Sequence, residues 1–107
     1  MGQLLRHPRF DESGLLKDPR DWSPELAREL ANSAGIAELT DQHWAYIESL
    51  QAYYRQFHLP PPPSQICHKL QLQHGCGHEL FETCLAAWRI AGLPDPGEEA
   101  KSYLSAE

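Results

Sequence analysis

The chain has 107 residues, of which 41% are hydrophobic, and its formal net charge at pH 7 is −6. A chain of this length is expected to form a single domain over residues 1–107, with a small hydrophobic core. The acidic balance disfavours nucleic acid as a partner, because Lys and Arg contacts to phosphate dominate that kind of binding. No apolar run approaches the roughly 18 residues of a membrane-spanning helix. We therefore expect a protein partner and no membrane partner.

The expected compartment follows from the first residues and from the cysteines. Residues 1–10 lack the apolar core of a signal peptide, which indicates a cytoplasmic protein. The chain has three cysteines, Cys67, Cys76 and Cys84. An odd number of cysteines in a cytoplasmic protein predicts reduced thiols rather than disulfides.

The N-terminal region, residues 1–17, is predicted to form a short β-hairpin. Asp11-Glu12-Ser13-Gly14 has the composition of a turn, and it lies between the apolar pairs Leu4-Leu5 and Leu15-Leu16. The remaining elements are predicted to be helices. The expected fold class is therefore mainly α, with α+β character contributed by the hairpin.

The first two predicted helices span residues 24–34 and 41–57. A Ser-Pro pair at the start of the first supplies an N-cap and a favourable first helical residue. Thr40 caps the second helix, whose apolar residues recur at helical spacing. Trp44 lies on that apolar stripe, and Trp88 lies on the equivalent stripe of a later helix. We expect both indole side chains to be largely buried.

Two further helices are predicted at residues 63–74 and 79–91. The four prolines at 60–63 end the preceding helix, because proline lacks the amide donor and disfavours a helical residue before it. The helix at 79–91 contains no glycine or proline before its end, so it is expected to be continuous. The polar tail at 97–107 is expected to be mobile, although Tyr103-Leu104 could dock on the domain.

Four short motifs carry a family resemblance. They are Trp22-Ser23, Leu39-Thr40-Asp41-Gln42-His43-Trp44, Tyr53-Tyr54-Arg55-Gln56-Phe57 and Arg89-Ile90-Ala91-Gly92-Leu93-Pro94. Together they resemble the DsrC/TusE family of small sulfur-relay proteins. The resemblance implies an orthogonal helical bundle with a short N-terminal β-hairpin and a C-terminal arm. Members of this family carry a reactive penultimate cysteine at the end of the arm that follows I-A-G-L-P.

The resemblance also implies partners and a docking element. The partner would be a sulfurtransferase complex of the TusBCD or DsrEFH type, or a siroheme sulfite reductase of the DsrAB type. The partner-docking arm would comprise Arg89, Ile90, Gly92, Leu93 and Pro94.

The chain departs from the family at the positions of the cysteines that carry sulfur in its members. The positions matching the two family cysteines are Trp88 and Glu99. Relatives have a Pro/Gly-rich break between Leu80-Phe81 and the basic residue before I-A-G-L-P, and this chain has none. The basic residue that relatives place early in the third helix is also missing from Pro63-Ser64-Gln65. These departures resemble the branch of the family that lacks both cysteines and is thought to regulate. The expectation is a non-catalytic protein of sulfur metabolism rather than an enzyme.

An alternative is an active sulfur carrier, in tRNA thiolation or sulfur oxidation, that uses Cys84 or Cys76. Such a protein would have sulfurtransferase or sulfur-carrier activity. Cys84 is the candidate catalytic residue, but it shares a helical face with Leu80, Phe81 and Trp88. A cysteine on such a face is expected to behave as a small hydrophobic core residue.

A cluster of potential zinc ligands comprises Cys67-His68, His74, Cys76, His78 and Cys84. Thiolates and imidazoles are zinc ligands, but the paired spacing of a zinc knuckle is absent. We expect no bound metal.

A DNA-binding regulator is the alternative from another class, since the second and third helices could mimic a helix-turn-helix. The candidate recognition helix carries only Lys69 as a fixed positive charge, which disfavours binding in a groove. The sequence contains no P-loop, no G-x-S-x-G and no G-x-G-x-x-G, and we expect no cofactor.

Overall fold

The computed structural model describes residues 8–106, and six α-helices make up most of this part of the chain. A 3-10 turn at Pro19–Asp21 precedes the first helix. The helices are α1 (Pro24–Ser33), α2 (Asp41–Phe57), α3 (Pro63–Lys69), α4 (Cys76–Phe81), α5 (Cys84–Ile90) and α6 (Glu98–Ala106). Within residues 8–106, no helix is both long and apolar enough to cross a membrane.

The starts of α1 and α2 are fixed by side-chain caps. The Ser23 hydroxyl accepts a hydrogen bond from the amide of Leu26 at 3.1 Å. Thr40 and His43 form a reciprocal capping box, in which the Thr40 amide donates to His43 Nδ1 at 3.0 Å. The other ring nitrogen of His43 contacts the carbonyl of Leu80 at 2.9 Å, which ties the start of α2 to α4. Both helix starts agree with the sequence prediction, because a cap is a local signal.

The predicted N-terminal β-hairpin is wrong for the residues that the structure describes. Residues 8–106 contain no β-strand, and the only pairing is a single antiparallel bridge between Phe10 and Leu16. The Asp11 carboxylate accepts the amides of Ser13 at 2.8 Å and Leu15 at 2.9 Å. These side-chain bonds satisfy backbone donors that a strand ladder would otherwise use. The other half of the expected hairpin, Leu4-Leu5, lies outside the described residues.

The third and fourth helices also differ from the prediction. α3 ends at Lys69 rather than at residue 74, and the chain then reverses through Gln71 and Gly75, which have φ angles of 60° and 86°. The expected continuous helix at 79–91 is divided into α4 and α5. Glu82 adopts a φ of 73°, and the Thr83 hydroxyl then caps α5 by accepting from the Ala86 amide at 3.0 Å. A residue with positive φ cannot continue a right-handed helix, so the break is enforced locally.

The C-terminal tail is the third difference. The sequence predicts a polar, mobile tail, but residues Glu98–Ala106 form α6, which packs against α5. Ala100 and Leu104 are four residues apart and both are buried. The docking of Leu104 agrees with the alternative that the sequence left open.

All six helices contribute to one hydrophobic core, and Trp88 of α5 lies at its centre with 0% exposure. The Tyr54 ring meets the indole edge to face, with ring centroids 5.6 Å apart. The burial of Trp88 is thereby confirmed. Trp44 differs from the expectation, since it is only half-buried at the rim of the core. Its outer face is covered by the Arg28 guanidinium, 5.4 Å from the ring centroid.

Candidate functional site

The sequence indicates a site at the I-A-G-L-P segment, residues 90–94, which begins at the last residue of α5 and leads towards α6. Three side chains donate hydrogen bonds to its carbonyl groups, and two of them come from distant parts of the chain. The Trp22 indole donates to Ile90 at 2.9 Å and the Gln51 amide donates to Ala91 at 2.9 Å. The Trp88 indole donates to Pro94 at 2.6 Å. Irregular backbone can be buried when its polar groups are paired in this way, and residues 90–93 are indeed buried.

Gly92 explains why two motifs far apart in sequence occur together. Its φ is 72°, and a Cβ built at this position would lie 2.6 Å from Cγ of the Trp22 indole. Only glycine combines this backbone conformation with such close contact by an aromatic ring. The Trp22-Ser23 and I-A-G-L-P motifs are therefore two halves of one packing unit.

The two positions at which the resemblance leads us to expect the family cysteines have opposite environments. Trp88 is fully buried inside the domain, so its position offers no route to a partner. Glu99 is exposed in the first turn of α6. The predicted docking arm is a separate set of residues. Ile90, Gly92 and Leu93 are buried, whereas Arg89 and Pro94 are partly exposed. The exposed rim of the segment is thus formed by Arg89 and by residues 94–99.

A polar network holds α6 against the N-terminal turn. Lys101 donates to the Ser13 hydroxyl at 3.0 Å and to the Asp95 carboxylate at 3.1 Å. Arg89 Nε donates to the backbone carbonyl of Ser13 at 2.9 Å. The Gly97 amide donates to Asp95 at 2.7 Å. The segment after Pro94 is therefore held in place at its surface as well as in the core.

This network makes a prediction about pH. The Gly97 amide and then the Lys101 ammonium stabilise the ionised form of Asp95, so its pKa lies below the ordinary value of 3.8. The contribution of the carboxylate to stability is full above pH 3.8 and is lost as pH falls through the lowered folded-state pKa. An NMR pH titration that follows the Gly97 amide should show this low midpoint, and Lys101→Met should raise it. A midpoint that is unchanged in the variant would contradict the network.

Cys84, the candidate for a displaced sulfur carrier, is 4% exposed at the start of α5. Its sulfur lies 3.6 Å from the Tyr46 hydroxyl. It also packs on the backbone of Gly77, where an added Cβ would be only 2.7 Å from the sulfur. The cysteine occupies a closed pocket in the core, as its position on an apolar face predicted.

Cys67 and Cys76 form a disulfide, so the expectation of three reduced thiols is wrong for this pair. The reversal of the chain after α3 places their Cα atoms 5.8 Å apart, within the range that a disulfide spans. The sequence separation of nine residues gave no signal of this approach, because it depends on the left-handed residues of the loop. Within residues 8–106, no three His, Cys, Asp or Glu side chains come together as a ligand set.

Gln51 is the residue of the site that sequence reasoning assigned to no role. It lies on the apolar stripe of α2, where a polar side chain requires a buried partner. That partner is the Ala91 carbonyl. A glutamine at a stripe position was the available signal, although nothing in the sequence indicates which carbonyl it meets.

Comparison with known proteins decides the family. Residues 5–98 match the sequence model of the family described as DsrC like protein. The chain belongs to the DsrC/TusE family. A relative named Sulfurtransferase TusE, from Yersinia pseudotuberculosis serotype I (strain IP32953), is 34% identical over 95 residues. That alignment covers 80% of this chain and 87% of the relative.

The chain is also similar to gamma subunits of dissimilatory sulfite reductases. The gamma subunit of the dissimilatory-type sulfite reductase of Nitratidesulfovibrio vulgaris is 31% identical over 88 residues, covering 80% of this chain and 84% of the subunit. The crystal structure of the oxidized gamma subunit (DsrC) from Archaeoglobus fulgidus superimposes with a TM-score of 0.72 at 32% identity. It covers 85% of this chain and 90% of the subunit. The DsrC/TusE fold predicted from the motifs is thereby confirmed, apart from the hairpin.

Proposed function

We propose that this protein is a non-catalytic member of the DsrC/TusE family. It docks on a sulfur-relay complex or on a dissimilatory sulfite reductase without accepting sulfur itself. The observation that carries the proposal is the state of the C-terminal segment. No cysteine follows Cys84 in the sequence, and the two positions matching the family cysteines are Trp88 and Glu99.

A sulfur carrier needs an accessible thiolate, because the thiolate is the nucleophile that receives the sulfur atom. Trp88 is a core side chain and Glu99 has no thiol. The segment between them is held by hydrogen bonds from Trp22, Gln51 and Lys101, which restrict the motion of a swinging arm. The geometry therefore supports a docked, rigid module over a carrier.

The relatives support the choice of partner. Their names place them in sulfur transfer and in dissimilatory sulfite reduction. We extend this to a complex of the TusBCD or DsrEFH type, or to a DsrAB-type sulfite reductase, as the partner of this chain. The exposed rim of the I-A-G-L-P segment, with Arg89, Pro94 and the acidic start of α6, is the proposed docking surface.

The two alternatives have less support. Cys84 is closed inside the core, and Cys76 is bonded to Cys67. The candidate recognition helix α3 has only seven residues and a single lysine. Neither an active carrier nor a DNA-binding regulator is favoured by a specific contact in the structure.

Competition tests the docking. Sulfur transfer from a persulfidated TusBCD- or DsrEFH-type donor to a cysteine-bearing TusE relative is measured with increasing amounts of this protein. The transfer rate should fall as the two proteins compete for one surface. An unrelated acidic protein of equal net charge serves as the control for non-specific effects. If the rate is unaffected by a large excess of this protein, and if a sulfite reductase also fails to bind it, the docking proposal is wrong.

A further inference from the structure

The Cys67–Cys76 disulfide lies away from the I-A-G-L-P segment and has no part in the proposed docking. It joins α3 to the first residue of α4 and closes a loop with a sequence separation of nine residues. Inside the loop, the Leu72 amide donates to the Cys67 carbonyl at 2.8 Å, and the Gln71 amide donates to the His68 carbonyl at 3.0 Å. The loop is therefore ordered by the disulfide and by a few local hydrogen bonds.

Each sulfur-bearing residue borders a separate surface groove. Cys67 lines a groove of about 410 Å³ with Ser64, His68 and His74. Cys76 lines another of about 440 Å³ with Gln42 and Glu79. The two cysteines are themselves only 2% and 3% exposed. These dimensions admit a small molecule beside each cysteine.

The segment around the disulfide has little to hold it once the bond is broken. α3 has seven residues and α4 has six, and helices this short are not stable without tertiary support. Gln71 holds a left-handed conformation that is unfavourable for a residue with a side chain. Gln71, Gln73 and His74 are exposed. The contacts of this loop with the core come from Leu70 and Leu72, which are only partly buried, so its opening leaves most of the core in place. Local opening of such segments gives reagents access to groups that are buried on average.

We infer that Cys67 and Cys76 form a redox site. Their disulfide is reversible, and its reductant is a low-molecular-weight thiol such as glutathione. A thiolate of the reductant attacks one sulfur of the disulfide. A mixed disulfide forms as the Cys67–Cys76 bond breaks, and the other cysteine leaves as a thiolate. A second reductant thiolate attacks the sulfur of the first reductant molecule in the mixed disulfide. This step releases the remaining protein cysteine as a thiolate. The net reaction consumes two reductant thiols and yields two protein thiols and one oxidised reductant disulfide, with two electrons transferred.

Reduction would change the shape of the domain locally. The covalent link between α3 and α4 is lost, and residues 68–75 become free to leave their left-handed turn. The I-A-G-L-P segment does not depend directly on this link, because the side chains that hold its carbonyl groups are Trp22, Gln51 and Trp88, which lie outside residues 67–76. The ratio of reduced to oxidised low-molecular-weight thiol thus controls how well ordered the loop at residues 68–75 is.

Redox titration of the folded protein tests the inference. The protein is equilibrated in glutathione buffers of graded reduced-to-oxidised ratio, quenched in acid, and alkylated in denaturant for intact-mass counting of thiols. We expect one thiol per molecule, Cys84, in oxidising buffer and three in reducing buffer, with the midpoint inside the glutathione range. A disulfide that resists about 10 mM reduced glutathione in the folded protein, and opens only in denaturant, behaves as a structural bond and would overturn the inference.

Amide hydrogen exchange gives the second readout on the same samples. Exchange at residues 68–75 should accelerate at least tenfold on reduction, while exchange in α5 stays within a factor of two. The double variant Cys67→Ser/Cys76→Ser should match the reduced wild type and should not respond to glutathione. Equal exchange at residues 68–75 in the oxidised and reduced protein would show that the bond does not control the loop.

Discussion

Replacing Trp88 by alanine is expected to lower the free energy of unfolding by about 3–5 kcal/mol, because the indole is fully buried at the centre of the core. The substitution leaves a cavity and also removes the hydrogen bond that the indole donates to Pro94. Equilibrium denaturation in guanidinium chloride, followed by circular dichroism, measures the loss.

Trp44→Ala is the matched control for this prediction. The Trp44 indole is half-buried at the rim of the core, so we expect a loss of only about 1–2 kcal/mol. Equal losses for the two variants, or a loss under about 1 kcal/mol for Trp88→Ala, would show that the core is not organised around Trp88.

Gly92→Ala is the second change with a large expected effect. The new methyl group would overlap the Trp22 indole, and the backbone would be held at a positive φ. Overpacking and backbone strain together should cost about 2–5 kcal/mol. Displacement of Trp22 would also weaken its hydrogen bond to Ile90. Denaturant titration gives the total.

Gly35→Ala separates the two contributions. Gly35 also has a positive φ, of 91°, but a Cβ there would meet nothing within 4 Å. This control should show the strain alone, about 1–2 kcal/mol. The cost of Gly92→Ala should also shrink in a Trp22→Ala background, since the overlap is then removed. An undiminished cost in that background would mean that the indole is not what excludes a side chain at this position.

Trp88 lies at one of the two positions where the resemblance leads us to expect a cysteine, and its side chain is buried. The side chain does not merely replace a thiol, because it fills the core and binds the carbonyl of Pro94. Returning a cysteine to this position would leave an indole-sized space in the core. We propose that the absence of a thiol at position 88 and the fixing of the segment are one structural feature in this chain.

The parts of the fold that the sequence predicted are those with local causes. The starts of α1 and α2 follow from Ser23 and Thr40, whose side chains cap amides three residues ahead. The sequence did not predict the end of α4, because Glu82 has a positive φ and no glycine or asparagine marks this position. Thr83 was an available signal for the start of α5, since threonine is a common N-cap.

The other differences depend on contacts between residues far apart in sequence. The order of α6 relies on Lys101 reaching Ser13, 88 residues away along the chain. The disulfide relies on the reversal after α3, and the I-A-G-L-P segment relies on Trp22 and Gln51. Sequence periodicity does not report such pairings, so the motifs could be recognised individually but not assembled into a packed site.

Sulfur transfer to the wild-type protein, measured by intact mass, is the direct test of the central claim. The protein is incubated with a persulfidated TusBCD- or DsrEFH-type donor, beside two charge-matched variants, Glu99→Cys and Glu48→Cys. Both glutamates are exposed, but only Glu99 lies at the position that we propose to correspond to the family's reactive cysteine. The account predicts no gain for the wild type and for Glu48→Cys, and a gain of about 32 Da, one sulfur atom, for Glu99→Cys. A gain of about 32 Da on the wild type that disappears in Cys84→Ser or Cys76→Ser would contradict it and establish an active sulfur carrier.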